Sequence, residues 1–124
     1  MIWIYRLLIV LVSGTVLNVW LLRMGKVTPY RGGDATTLAE EFIAYGLNET
    51  IFYIIGGIKL IAALGLLIGL GFKNFITPSA QVISVLMIGA IAMHLKVADP
   101  LIKSLPAICM LIMCLGIIRL HKQV

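Results

Sequence analysis

The chain has 124 residues, of which 61% are hydrophobic and 12% charged, with a mean hydropathy of +1.10. So few polar side chains cannot cover a water-soluble globule, and lipid is the solvent that suits the composition. The formal charge of +5 gathers at the ends of apolar runs, where it serves as membrane anchoring, and it lends no support to nucleic-acid binding.

Four apolar runs, about 3–24, 51–72, 78–95 and 101–120, match the roughly 20 residues that cross a hydrocarbon core about 30 Å thick. None shows the alternation of a barrel strand, and unpaired backbone groups in lipid are too costly for an open sheet. The expected fold is all-α, an up-down transmembrane four-helix bundle spanning residues 1–124 as a single domain. The first run reads as a retained helix, because only Arg6 is basic at its N-terminal end and no small-x-small cleavage site follows.

The polar interval 25–50 carries structure of its own. Thr37 and Glu40 have capping-box spacing, while Leu38, Phe42 and Tyr45 recur at helical spacing beside Thr36, Glu40 and Glu41. A short amphipathic helix over about 35–46, ended by Gly46, is expected on the membrane surface or over the bundle mouth. A plain spacer returning the chain to the membrane is the alternative.

Polar residues inside the spans carry the functional signal. Lys59 lies about 12 Å below the start of the second run, where an ammonium needs a partner or must snorkel. Gly56 and Ala63 share its face, and small residues there let another helix approach, so Lys59 is expected inside the bundle. Asn18 near the end of the first run, His94 near the end of the third, and the Ile102 carbonyl freed by Pro106 are its candidate partners. Asp99 reads as an N-cap with Pro100 at the first helical position. The run from Met93 to Pro100 and the Lys103-Ser104-Leu105-Pro106 segment form one polar mouth.

Other chemistries have little basis. Cys109 and Cys114 are five apart on one helix and point away from each other, so neither a redox pair nor a zinc site is legible. Gly65 and Gly69 form a GxxxG that reads as helix packing. No catalytic residue and no site for haem, flavin or an iron–sulfur cluster is apparent.

Orientation rests on the acids. The side bearing the termini has Arg6, Lys73, Arg119 and Lys122 and no acid, whereas the other has all five acids beside Arg23, Lys26, Arg31, Lys96 and Lys103. Lys and Arg counts alone do not choose between the sides. The acid-free side, with both termini, is expected in the cytoplasm.

Several motifs together resemble the DoxX-like family of small four-helix membrane proteins. They are Gly25-Lys26-Val27-Thr28-Pro29, Gly32-Gly33-Asp34-Ala35, Glu40-Glu41-Phe42 with Tyr45-Gly46-Leu47, Gly56-Gly57-Ile58-Lys59, Met93-His94-Leu95-Lys96, Asp99-Pro100 and Lys103-Ser104-Leu105-Pro106. The resemblance implies a bundle in a bacterial plasma membrane and only a loosely defined activity. Relatives include a membrane subunit of a thiosulfate:quinone oxidoreductase, subunits linked to thiol stress, and an animal chaperone that assembles nicotinic receptors. Many relatives carry Glu where this chain has Lys59, so a mechanism that needs that carboxylate does not carry over.

Three functions stay open. The first is an accessory protein whose pocket, lined by Asn18, Lys26, Lys59, His94, Asp99 and Lys103, binds a lipophilic or anionic ligand such as a quinone or a lipid. The second is a quinone-linked subunit of an oxidoreductase complex, and the third an assembly chaperone for membrane proteins. Expected partners are the bilayer, a lipophilic small molecule, and a second membrane protein or another copy of the chain. No cofactor is called for by the residues themselves, although a quinone is compatible with such a pocket.

Overall fold

The computed structural model describes residues 2–22, 32, 33, 35 and 37–123. Four helices are long and apolar enough to cross a membrane: Ile2–Leu22, Glu49–Gly69, Lys73–Lys96 and Leu101–His121. Each has at least 21 residues, hence a length of about 30 Å at 1.5 Å per residue, the thickness of the hydrocarbon core. Among the described residues there is no strand. In chain order the elements are α1 (Ile2–Leu17) continued by a π turn (Asn18–Leu22), α2 (Leu38–Ala44), α3 (Glu49–Gly69), a 3-10 turn (Lys73–Phe75), α4 (Ile76–Lys96) and α5 (Leu101–His121).

The spanning helices form a ring in which α1 touches α3 and α5, and α4 touches the same two. Its centre is filled by Ile9, Val12, Leu66, Ile83, Cys114 and Ile117, all fully buried. Large apolar side chains such as Ile61, Val85 and Ile112 point outward instead, as lipid-facing positions must. Buried hydroxyls bond within their own helices, Ser13 Oγ to the Ile9 carbonyl at 2.7 Å and Ser84 Oγ to the Ala80 carbonyl at 2.8 Å. No polar group at those positions is stranded in the apolar interior.

Small residues set the closest approaches, because lipid tails are as apolar as leucine and shape complementarity must drive helix association. A Cβ at Gly65 would overlap Ser79, one at Gly69 would overlap Ile76, and one at Gly56 would overlap the Trp20 ring. The GxxxG pair thus locks the closed end of the α3–α4 hairpin. At the end of the bundle that carries the termini, the Tyr5 hydroxyl lies 2.7 Å from His121 Nδ1 with the two rings stacked, clasping α1 to α5.

Two helix ends depart from the sequence-based expectation. Asn48 caps α3, its side-chain oxygen accepting the Ile51 N–H at 2.9 Å, so that helix begins before residue 51. Asp99 is not the cap of α5: Pro100 occupies that position without a side-chain bond, because the Asp99 carboxylate is drawn to other donors. Phe52 is buried, whereas the adjacent Tyr53 is exposed.

α4 ends in a Schellman turn. The Asp99 N–H donates to the His94 carbonyl at 3.0 Å and the Ala98 N–H to the Leu95 carbonyl at 3.1 Å, with Ala98 held at a φ of 57°. Glycine is the residue that normally occupies this position, since an L side chain crowds its own carbonyl there. Ala98→Gly is therefore expected to raise stability by about 1 kcal/mol, read as a higher melting temperature of the detergent-solubilised protein.

Candidate functional site

The short helix α2 begins with a capping box: the Glu40 N–H donates to Thr37 Oγ1 at 3.2 Å, and the Thr37 N–H to Glu40 Oε2 at 3.3 Å. It ends at Gly46, whose φ of 81° admits a reversal that most side chains resist. Between these stops, Glu41, Phe42 and Tyr45 are buried. Phe42 meets Trp20 and Phe52 with ring centroids 5.8 and 5.2 Å away, so an aromatic cluster fastens α2 to α1 and α3. The π turn carries Trp20 inward over Gly56.

A polar network crosses the same end of the bundle. The Tyr45 hydroxyl donates to Glu41 Oε1 at 2.5 Å and stands 3.3 Å from His94 Nε2. His94 Nδ1 lies 2.7 Å from Asp99 Oδ2, and the Gly33 N–H donates to both Asp99 oxygens at 3.1 and 3.2 Å. Lys103 Nζ donates to the Gly33 carbonyl at 2.5 Å and approaches Asp99 Oδ1 at 3.7 Å, while Lys96 Nζ donates to the Tyr45 carbonyl at 2.9 Å. A Cβ at Gly32 would overlap the Tyr45 ring, so the absence of a side chain at this position lets the ring come up against it.

Burial pushes the Asp99 carboxyl upward, but the bonds from His94 and the Gly33 N–H and the charge of Lys103 outweigh it and hold the group below its ordinary value. An ionised Asp99 can only accept, so His94 Nδ1 carries the hydrogen. Nε2 on the far side of the ring then faces the Tyr45 hydroxyl and Glu41.

Beneath this network lies a cavity of about 630 Å³. Its walls are mostly apolar, with Val16, Trp20, Ile55, Met87, Ala107 and Met110 among them, and Glu41, Tyr45, His94 and Lys103 form its polar end. Lys59 lines it too. The ammonium sits 5.2 Å from the centre of the Trp20 ring, a cation–π contact, with Glu41 near enough to act on it electrostatically. Lys59 makes no hydrogen bond or ion pair among the described residues, so the expected bonds to Asn18, His94 or the Ile102 carbonyl are not formed.

Of the residues singled out in the sequence, Lys59, His94 and Lys103 share this cavity. Asp99 stands behind His94 as its acceptor. Asn18 opens the π turn and is not among the lining residues, and Lys26 lies outside the described residues. Glu41, Tyr45 and Trp20 complete the site and were missed, Glu41 and Tyr45 having read as part of an amphipathic helix. The described residues offer no cluster of His, Cys, Asp or Glu suited to a metal ion, and a cofactor here would have to be held by the ammonium, the hydroxyl and the apolar walls.

Fold and site define an integral membrane four-helix bundle with an internal cavity, polar at one end and roofed by a short loop helix. The sequence model of the DoxX-like family matches residues 24–117, and the chain belongs to that family. No curated protein and no solved structure matches it.

Asp99 offers a direct test of the network. With its carboxyl held low, its contribution is full at neutral pH and is lost as pH falls through the folded value. Asp99→Asn is expected to cost roughly 2 kcal/mol at pH 7. The gap between the two melting temperatures should close as pH drops below about 4, and a gap that is constant with pH would contradict the assignment.

Proposed function

We propose that this protein is an accessory membrane protein that binds a lipophilic ligand, a quinone or a lipid, in the cavity beneath α2. One observation carries the reading: an ammonium without a hydrogen-bond partner among the described residues lines an apolar cavity of about 630 Å³, a volume within the range of small-molecule sites. A cation at membrane depth is expensive unless something accepts its protons, and an oxygen of the ligand head supplies that acceptor. Tyr45, His94 and Lys103 offer further polar contacts to the same head. Of the predicted site residues, Lys59, His94 and Lys103 contact ligand in this reading, and Asp99 positions His94.

The test is extraction of the purified protein followed by mass spectrometry for retained quinone and lipid. Lys59→Met is expected to keep the fold, since Met matches the stem, while ligand retention falls at least about tenfold. Full retention by a folded Lys59→Met protein would refute the role given to the ammonium.

The reading places the protein in a bacterial plasma membrane with both termini cytoplasmic, supported by the side of the bundle that lacks acids. In a background with Cys109 and Cys114 replaced by Ala, single cysteines at the exposed positions Lys73 and Glu49 report the sidedness. Impermeant maleimide applied to intact cells should label position 49 and spare position 73; the reverse pattern inverts the orientation.

A further inference from the structure

α3 and α4 are antiparallel, and their register is fixed by Gly65 against Ser79 and Gly69 against Ile76. Each turn back along α3 is met by a turn forward along α4, which sets Lys59 opposite Val85 and Leu86, Ile55 opposite Ala90, and Ile51 opposite His94. All of these residues line the cavity. The seam is therefore closed near the 3-10 turn and gives way to cavity from Lys59 to the loop side. On the α4 rim of that gap Val85 is 67% exposed, and Gly89 is exposed with open space where a Cβ would stand.

From this geometry we infer that the cavity opens sideways into the bilayer through the gap in the α3–α4 seam, between Ile55 and Gly89, and takes a membrane-dissolved amphiphile whose head oxygen seats on Lys59. The inference rests on the ligand-binding reading and adds the route and the source. A lipid-dissolved molecule reaches the ammonium through this gap without passing the roof of α2, Tyr45 and His94. Apolar walls accept its tail, and the absence of a side chain at Gly89 keeps the passage wide.

Trp20 reports occupancy, because it is one of two tryptophans and lines the cavity. In nanodiscs, a Trp3→Phe protein is mixed with either a decyl-benzoquinone or a dibrominated stearate, and quenching of Trp20 is followed in time. The two probes separate a neutral carbonyl head from a carboxylate. Saturable quenching by at least one probe is expected, and its absence with both would sink the ligand-binding reading itself. Gly89→Phe and, from the opposite wall, Ile55→Phe should each slow quenching at least about tenfold. Gly14→Phe, at an exposed glycine of α1 with the same open surroundings but outside the cavity, should leave the rate unchanged. Saturable quenching that is as fast in both plugged proteins as in the parent would overturn the sideways route and leave the ligand site standing.

Discussion

An inward-turned carboxylate at Asp99 joins the three segments that close the polar end of the bundle. Its oxygens take the N–H of Gly33 from the first loop and the Nδ1 hydrogen of His94 from α4, and its own backbone begins the turn into α5. Lys103, one turn into α5, then ties the Gly33 carbonyl to the same knot. Loop, α4 and α5 are held in register by charge-assisted bonds, which are about twice as strong as neutral ones. With that register set, His94 is aimed at Tyr45, Tyr45 at Glu41, and α2 is spread as a lid over the apolar space.

The division of labour between the two ends of the molecule follows from solvent. At the hairpin end, Gly65 and Gly69 bring α3 and α4 together by shape alone, because no hydrophobic force distinguishes a neighbouring helix from lipid. At the loop end, polar groups replace shape as the fastening and the helices need not touch along their full length. A cavity arises where the first regime gives way to the second, and Lys59 sits at that boundary. The Trp20 face partly offsets the cost of placing its charge there.

The spans were legible because twenty apolar residues in a row have few other uses, and the capping box because its two partners are three residues apart. Asp99 was misread because a local rule, aspartate before proline as a helix cap, gave way to donors brought by the loop from 66 residues away. Lys59 was recognised as the anomalous residue, yet its neighbour was not, since the π turn that brings Trp20 over Gly56 leaves no periodic trace. Glu41 and Tyr45 hid in a pattern that amphipathicity explains equally well: i,i+4 spacing signals a helix face before it signals a carboxylate bonded to a phenol.

The clasp between Tyr5 and His121 joins side chains 116 positions apart, and so closes the ring of helices on which the cavity depends. Taken without α5, helices α1, α3 and α4 make an open arc, because α5 is the helix that touches both α1 and α4. Only when α5 is in place can Met110 and Ala107 complete the wall and His121 meet Tyr5. The cavity is thus a property of the closed ring, and an arc of three helices would leave the same space to the bilayer.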